Sequence, residues 1–263
     1  MTAGPIEGVV PILLSPFLDN GRLDAESMER QVEFNIAAGV HGLGLAIGSE
    51  MFKLNETERG ELVTVTAAAI GKRTPLIVNV SAAGSDLAAH YAKLAQAQGA
   101  DVLMVYPPTF LPAGVEEIVD YYRRIAGAVE IPIVLQDVVQ APISAAVALR
   151  IADACKNVKY IKVESTPVTA KVAAMAAAAG DRLTIFGGAG GGYFIEEMRR
   201  GSQGTMPFCS QPAAFVEVWD RFQRGDEAGA RTVFDSNIMA ILRLGQQGGD
   251  LFYHLHKQLL VLL

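Results

Sequence analysis

The chain has 263 residues, 51% hydrophobic and 19% charged, with 22 basic against 28 acidic side chains and a net charge of −6. That balance excludes a disordered chain, which needs low hydrophobicity and high charge. It also excludes nucleic acid as a partner, because the basic residues come at most in pairs such as Lys72-Arg73 and Arg199-Arg200 and the average field repels phosphate.

Short apolar runs alternate along the chain with segments of helical periodicity. The runs fall at 8–14, 42–47, 75–80, 101–106, 131–136, 158–163, 183–187 and 203–208. They are continuous rather than alternating, as in parallel strands covered on both faces. Helical segments are predicted near 24–38, 56–70, 85–98, 115–128, 143–155, 167–179 and 190–200. Asn55 with Glu58 reads as a capping box, and Ser85 and Ser144 open two other helices. Eight such units predict an α/β fold, a (β/α)8 TIM barrel, for which about 250 residues is usual. An open doubly wound sheet is the alternative, but no GxGxxG follows the first strand. The glycine run at 187–192 lacks the Lys-Ser/Thr of a phosphate loop.

Residues 1–210 carry the barrel through its eighth strand, and 211–263 carry the last barrel helix and a C-terminal helical extension, all in one structural domain. That extension is read as helices near 211–224, 226–244 and 250–263. The apolar finish LLVLL predicts either a natural chain that continues or a helix covered by a partner. Cys155 and Cys209 stand far apart in no metal or redox spacing, so a reducing cytoplasm is expected. No secretory leader is visible at the start. No apolar stretch approaches the ~20 residues of a membrane span, so no membrane partner is expected.

In this fold chemistry gathers at the C-terminal ends of the strands. The polar candidates there are Ser15, Ser49, Glu50, Asn79, Ser81, Thr109, Gln136, Asp137, Lys162, Glu164, Cys209 and Ser210, with Gly188 and Met206 after strands seven and eight. None of the four histidines is predicted at that mouth. The carboxylates are scattered, so no metal site is expected. Lys162 lies in VKYIKVES, where alternation puts it on one face with Tyr160 and Val158. If that face is the interior, desolvation favours a free amine that attacks a carbonyl. The alternative is a lysine that reaches solvent, a place Lys159 suits better by its opposite parity.

Several segments together resemble the dihydrodipicolinate synthase / N-acetylneuraminate lyase family of class I aldolases. They are GVVPILLSPFLDNGRLD, GLGLAIGSEMFKLNETER, GADVLMVYPPTF, IPIVLQD, VKYIKVES and GSQGTMPF, in the family's order. The resemblance implies that Lys162 forms a Schiff base with pyruvate or a related 2-oxo acid and needs no cofactor beyond it. It implies that Gly48 and Ser49 bind the substrate carboxylate, and that the protein is a homo-oligomer, a tetramer or dimer. The departures are specific. The usual GTTGE is AIGSE at 46–50, and the proton-shuttling tyrosine of strand five is Gln136. The neighbouring-subunit tyrosine falls at Thr109, and the arginine of dihydrodipicolinate synthase falls at Ala141. A glutamine cannot act as a general acid at neutral pH, so Asp137, Glu164 and Glu50 remain as proton-transfer candidates. The QD pair and GTMP resemble members acting on 2-keto-3-deoxy sugar acids by loss of water or retro-aldol cleavage. Ser15, Asn79, Thr109, Gln136 and Ser210 are then candidates to bind a polyhydroxylated substrate. A dihydrodipicolinate synthase-like or N-acetylneuraminate lyase-like aldolase, and a barrel that binds a 2-oxo acid without turnover, are the other readings.

Overall fold

The computed structural model describes residues 4–245 and 251–263. Eight parallel strands are each followed by helical structure. The strands are β1 (Gly8–Val9), β2 (Leu43–Leu45), β3 (Leu76–Asn79), β4 (Val102–Val105), β5 (Ile133–Asp137), β6 (Val158–Val163), β7 (Thr184–Gly187) and β8 (Gly204–Thr205). They neighbour one another in the order β1-β8-β7-β6-β5-β4-β3-β2. The sheet closes where the His41 amide donates to the Val9 carbonyl at 2.9 Å, and where Gly44 exchanges bonds with Pro11 and Leu13. This is a (β/α)8 barrel.

The first and last strands are shorter than their apolar runs. Pro11 and Pro207 lack the amide that a ladder needs, so regular pairing stops before each. The chains stay side by side nonetheless, and Ile12 bridges both Gly44 and Phe208.

The helices are α1 (Ala25–Ala37), α2 (Glu56–Ile70), α3 (Ser85–Ala97), α4 (Val115–Ala126), α5 (Ala145–Ala154), α6 (Val168–Ala179), α7 (Phe194–Met198), α8 (Pro212–Gln223), α9 (Glu227–Val233), α10 (Met239–Gly245) and α11 (Leu251–Leu262). The capping box holds: Asn55 Oδ1 accepts from the Glu58 amide at 3.0 Å, and Glu58 Oε2 accepts from the Asn55 amide at 2.9 Å. Ser144 caps α5 as expected, whereas Gly84 rather than Ser85 stands at the start of α3. The helix read at 226–244 is interrupted by a π-turn at Phe234–Ile238. That extra residue per turn seats both Phe234 and Ile238 against Val9 and Phe215. The start of the helix read at 250–263 lies outside the described residues.

Two layers of core divide the barrel. Val10, Ile12, Met104, Tyr160, Phe186 and Met206 fill the interior, as small barrels require, while a larger cluster lies between strands and helices. On β6, Tyr160 and Lys162 face inward, but Val158 belongs to the outer layer, against the simple alternation. The reason is a register shift: Ile133 pairs with Val158 and Val134 with Tyr160, leaving Lys159 as the extra, exposed residue of a bulge. The bulge resets the face on which Lys162 emerges.

Among the described residues no helix is long and apolar enough to cross a membrane.

Candidate active site

A cavity of about 370 Å³ opens at the C-terminal ends of the strands. Lys162 is its central basic group. The lysine is 4% exposed, and its Nζ lies 3.0 Å from Glu164 Oε1. The two residues are two apart on and just beyond β6, so both project inward. Gln136 on β5 is in register with Lys162, and its Nε2 donates to Glu164 Oε2 at 2.8 Å. The amide of Ala189 donates to Glu164 Oε1 at 3.3 Å. Glu164 is therefore held from three sides.

The orientation of Gln136 is set from below. Asn79 Nδ2 donates to Gln136 Oε1 at 3.2 Å and to Ser81 Oγ at 3.2 Å. The Ser81 amide returns a bond to Asn79 Oδ1, and Ser81 Oγ accepts from the Tyr106 amide at 2.8 Å. A donor fixed under Oε1 leaves Nε2 to face the carboxylate, so the ladder transmits an orientation rather than a proton.

Other expected site residues fall into two groups. Gly48 and Met206 line the cavity, and Gly188 lies directly against Glu164, where a Cβ would come within 2.3 Å of the glutamate Cγ. Ser49, by contrast, is buried with its hydroxyl engaged: Oγ donates to the Leu13 carbonyl at 2.5 Å and accepts from the Ala46 amide at 3.0 Å. Ser15 Oγ donates to the Ser49 carbonyl at 2.5 Å and is likewise away from the cavity lining. Both hydroxyls are engaged by backbone groups of the loop. Thr109 is exposed on the loop after β4, outside the cavity.

Asp137 points the other way from Gln136. It is fully buried and accepts from the Ile143 amide at 2.7 Å, from Ser165 Oγ at 2.8 Å and from the Ser165 amide at 3.0 Å. Lys171 Nζ pairs with it at 2.7 Å. These contacts tie β5 to α6, and Asp137 does not line the cavity. Glu50 adopts left-handed backbone (φ 57°) and pairs with Lys53 and Lys257. Burial opposes its charge, but the two lysines outweigh it and hold the carboxyl below the usual range. Cys209 lies beside Gln31, and burial pushes its thiol up to about 12.

The tail supplies walls that the sequence did not announce. Phe252 and Tyr253 of α11 line the cavity together with Phe208. His256 stacks on Phe208 with ring centroids 4.3 Å apart, and its Nδ1 meets Ser210 Oγ at 2.7 Å. A histidine therefore does stand behind the mouth, although the strands contribute none. Among the described residues no group of three His, Cys, Asp or Glu is placed to hold a metal.

A parallel eight-stranded barrel with a buried lysine and a partner carboxylate at its mouth is an enzyme's architecture. The chain belongs to the dihydrodipicolinate synthetase family, whose profile matches residues 5–246. It is 31% identical over 236 residues to an L-2-keto-3-deoxyarabonate dehydratase of Azospirillum brasilense, covering 85% of this chain and 75% of that one. It is 32% identical over 129 residues to a probable 2-dehydro-3-deoxy-D-pentonate aldolase of Escherichia coli, covering 49% and 43% of the two chains. Among solved structures, a dihydrodipicolinate synthase from Rhodopseudomonas palustris superposes with a TM-score of 0.86 at 28% identity, covering 97% of this chain and 88% of that one. The named relatives are lyases.

Proposed function

We propose that the protein is a lyase acting on a 2-keto-3-deoxy sugar acid through a Schiff base on Lys162, with Glu164 as the proton-transfer group. The observation that carries this reading is the 3.0 Å pairing of Lys162 Nζ with Glu164 at the floor of the cavity. Attack by the amine on the substrate's C2 carbonyl, followed by loss of water, gives a protonated imine. Positive charge on that nitrogen draws electrons from C3, and a C3 proton leaves to the Glu164 carboxylate. In dehydration the enamine electrons then expel the C4 hydroxyl, which departs as water with the proton returned by Glu164. Hydrolysis of the remaining imine frees Lys162. Gln136 moves no proton here; it donates to Glu164 and keeps the carboxylate aimed.

Dehydration is favoured because the dehydratase relative matches along most of the chain. Retro-aldol cleavage is the second reading, supported by the shorter match to the aldolase. There the C3–C4 bond breaks into the same imine, and the C4 hydroxyl proton goes to the carboxylate. The substrate carboxylate is assigned to the Gly48 backbone at the cavity edge, without the Ser49 hydroxyl. The enzyme is proposed to work in the cytoplasm as a homo-oligomer without metal or organic cofactor. Exposed Phe110 and Leu111 on the loop after β4 supply an apolar surface for a subunit contact.

The test is borohydride trapping with pyruvate, read by peptide mass spectrometry, followed by turnover on five- and six-carbon 2-keto-3-deoxy acids. A pyruvyl adduct on the Lys162 peptide, absent in Lys162→Ala, supports the reading. Absence of an adduct with pyruvate and with every longer 2-oxo acid overturns it. An adduct without turnover would leave a barrel that binds and does not convert.

A further inference from the structure

A second carboxyl stands one wall thickness from the site. Glu197 on α7 is 0% exposed, and among the described residues its oxygens meet no well-formed hydrogen-bond donor, only a weak pull from the Gly188 amide. Its position is defined by a missing side chain: a Cβ on Gly187 would fall 1.7 Å from Glu197 Oε2. The next residue, Gly188, has the same relation to Glu164, at 2.3 Å from Cγ. Gly187 follows the inward-facing Phe186 and so turns its bare face to the helices, while Gly188 turns its own to Glu164. Two carboxyls thus press on adjacent glycines from opposite sides of the barrel wall. Thr205, the register partner of Gly187, adds a buried hydroxyl on the outer side that has no partner among the described residues.

An uncompensated carboxylate does not persist in such a place; the group holds its proton instead. Burial pushes Glu197 up to about 8, and the charges of Glu164 and Glu196 push in the same direction, against smaller pulls from the Gly188 amide and from Lys162. Glu196, on the same helix, is answered by Arg231 of α9 at 2.5 Å. A leucine or glutamine would fill the same space at less cost, so the placement of an ionisable group beside Glu164 calls for a use.

We propose that Glu197 is a positioning residue of the lysine site: its neutral carboxyl seats the Gly187–Gly188 backbone on which Glu164 rests, and its ionisation disables the site on the alkaline side. A negative charge appearing behind the glycines repels the Glu164 carboxylate that rests on them and draws it off its contacts with Lys162 and Gln136. The displaced acceptor is no longer held for imine formation or for C3 deprotonation. This inference rests on the lysine mechanism proposed above.

The experiment compares wild type, Glu197→Gln and Glu197→Leu in the rate of pyruvate trapping by borohydride and in urea stability, from about pH 6 to about pH 9. The ratio of variant to wild-type rate should rise several-fold from the acid end to the alkaline end in both variants, because neither glutamine nor leucine ionises. Leucine, which cannot replace the polar contact of the carboxyl with the glycine backbone, should start from the lower rate. A merely structural glutamate would give a ratio independent of pH, and that result overturns the proposal. Stability gives a readout independent of the chemistry. A carboxyl protonated in the folded chain and ionised in the unfolded one makes wild-type stability fall as pH rises from the ordinary carboxyl range to about 8. The variants should lack that decline, and a wild type without it overturns the proposal even if both variants fail to fold. A wild type that traps nothing at any pH refutes the lysine mechanism, and the stability profile then decides separately whether Glu197 is neutral.

Discussion

Lys162 and Glu164 face each other at 3.0 Å because they stand two residues apart at the end of one strand. The spacing joins the nucleophile and its proton acceptor without any long-range folding accident. It also separates their roles experimentally. Glu164→Gln keeps the shape and the bond to Gln136 but cannot take up a proton. Such a loss of general acid–base assistance lowers kcat by about 10²- to 10⁴-fold. Pyruvate trapping on Lys162 should survive at a reduced rate, whereas Lys162→Ala should abolish both. Equal loss of trapping in the two variants would show that Glu164 serves only to hold the lysine.

Asn79 touches Gln136 and not Glu164, so its effect on the site is indirect. Asn79→Leu removes the donor beneath Gln136 Oε1 and frees the carboxamide to turn. A buried acceptor left unpaired costs about 1–3 kcal/mol, and the turned amide would present an oxygen to the Glu164 carboxylate. We expect kcat to fall about tenfold with KM little changed, as for loss of a transition-state interaction. Steady-state kinetics on a keto-deoxy acid checks it, and a rise in KM alone would place Asn79 in substrate binding.

The barrel was legible because parallel strands covered on both faces must be apolar throughout, and the eight runs could be counted. Lys162 was legible from parity, although Val158 misled: a bulge at Lys159 shifts the register, and no residue type there announces it. Position after a strand makes Ser15 a candidate substrate contact, the resemblance does the same for Ser49, and Asp137 is a proton-transfer candidate. Their hydroxyls and carboxylate are instead consumed by nearby backbone and side chains, which position along a strand does not reveal. Glu197 was missed altogether, because a glutamate in a short helix looks solvated until Gly187 is seen to leave it room. Phe252 and Tyr253 were invisible for a different reason. The path by which a tail returns to the mouth is a tertiary fact without local pattern.

Asp137 yields a prediction about stability rather than chemistry. Among the described residues it is the one carboxylate paired with Lys171, whose side chain is only 19% exposed. Asp137→Ala therefore strands a half-buried ammonium and the Ile143 and Ser165 amides together. Removing one partner of a buried pair typically costs about 3–5 kcal/mol. Urea denaturation should show a loss of that order, with Asp137→Asn milder because it retains an acceptor. If stability is untouched and turnover alone falls, Asp137 belongs to the reaction after all.

The contact of α11 with the barrel mouth should weaken in acid. Burial pushes His256 down to about 4, while in the unfolded chain its value is ordinary, near 6.5. The unfolded state then binds more protons than the folded one between those limits, so stability rises with pH across the interval. The contribution is fully present above about pH 6.5 and is lost as pH falls toward about 4. A displacement of this size is worth at most about 3 kcal/mol. Protonation also makes both ring nitrogens donors, Nδ1 facing Ser210 Oγ at 2.7 Å and Nε2 without a partner among the described residues, and it charges a ring stacked on Phe208. Hydrogen exchange across Leu251–Leu262 should accelerate on acidification in wild type and change less in His256→Leu, which keeps an apolar contact with Phe208. Because Phe252 and Tyr253 line the cavity from the same helix, substrate KM should rise over the same interval in wild type. Exchange rates identical in the two proteins at every pH would show that His256 does not govern the seating of α11.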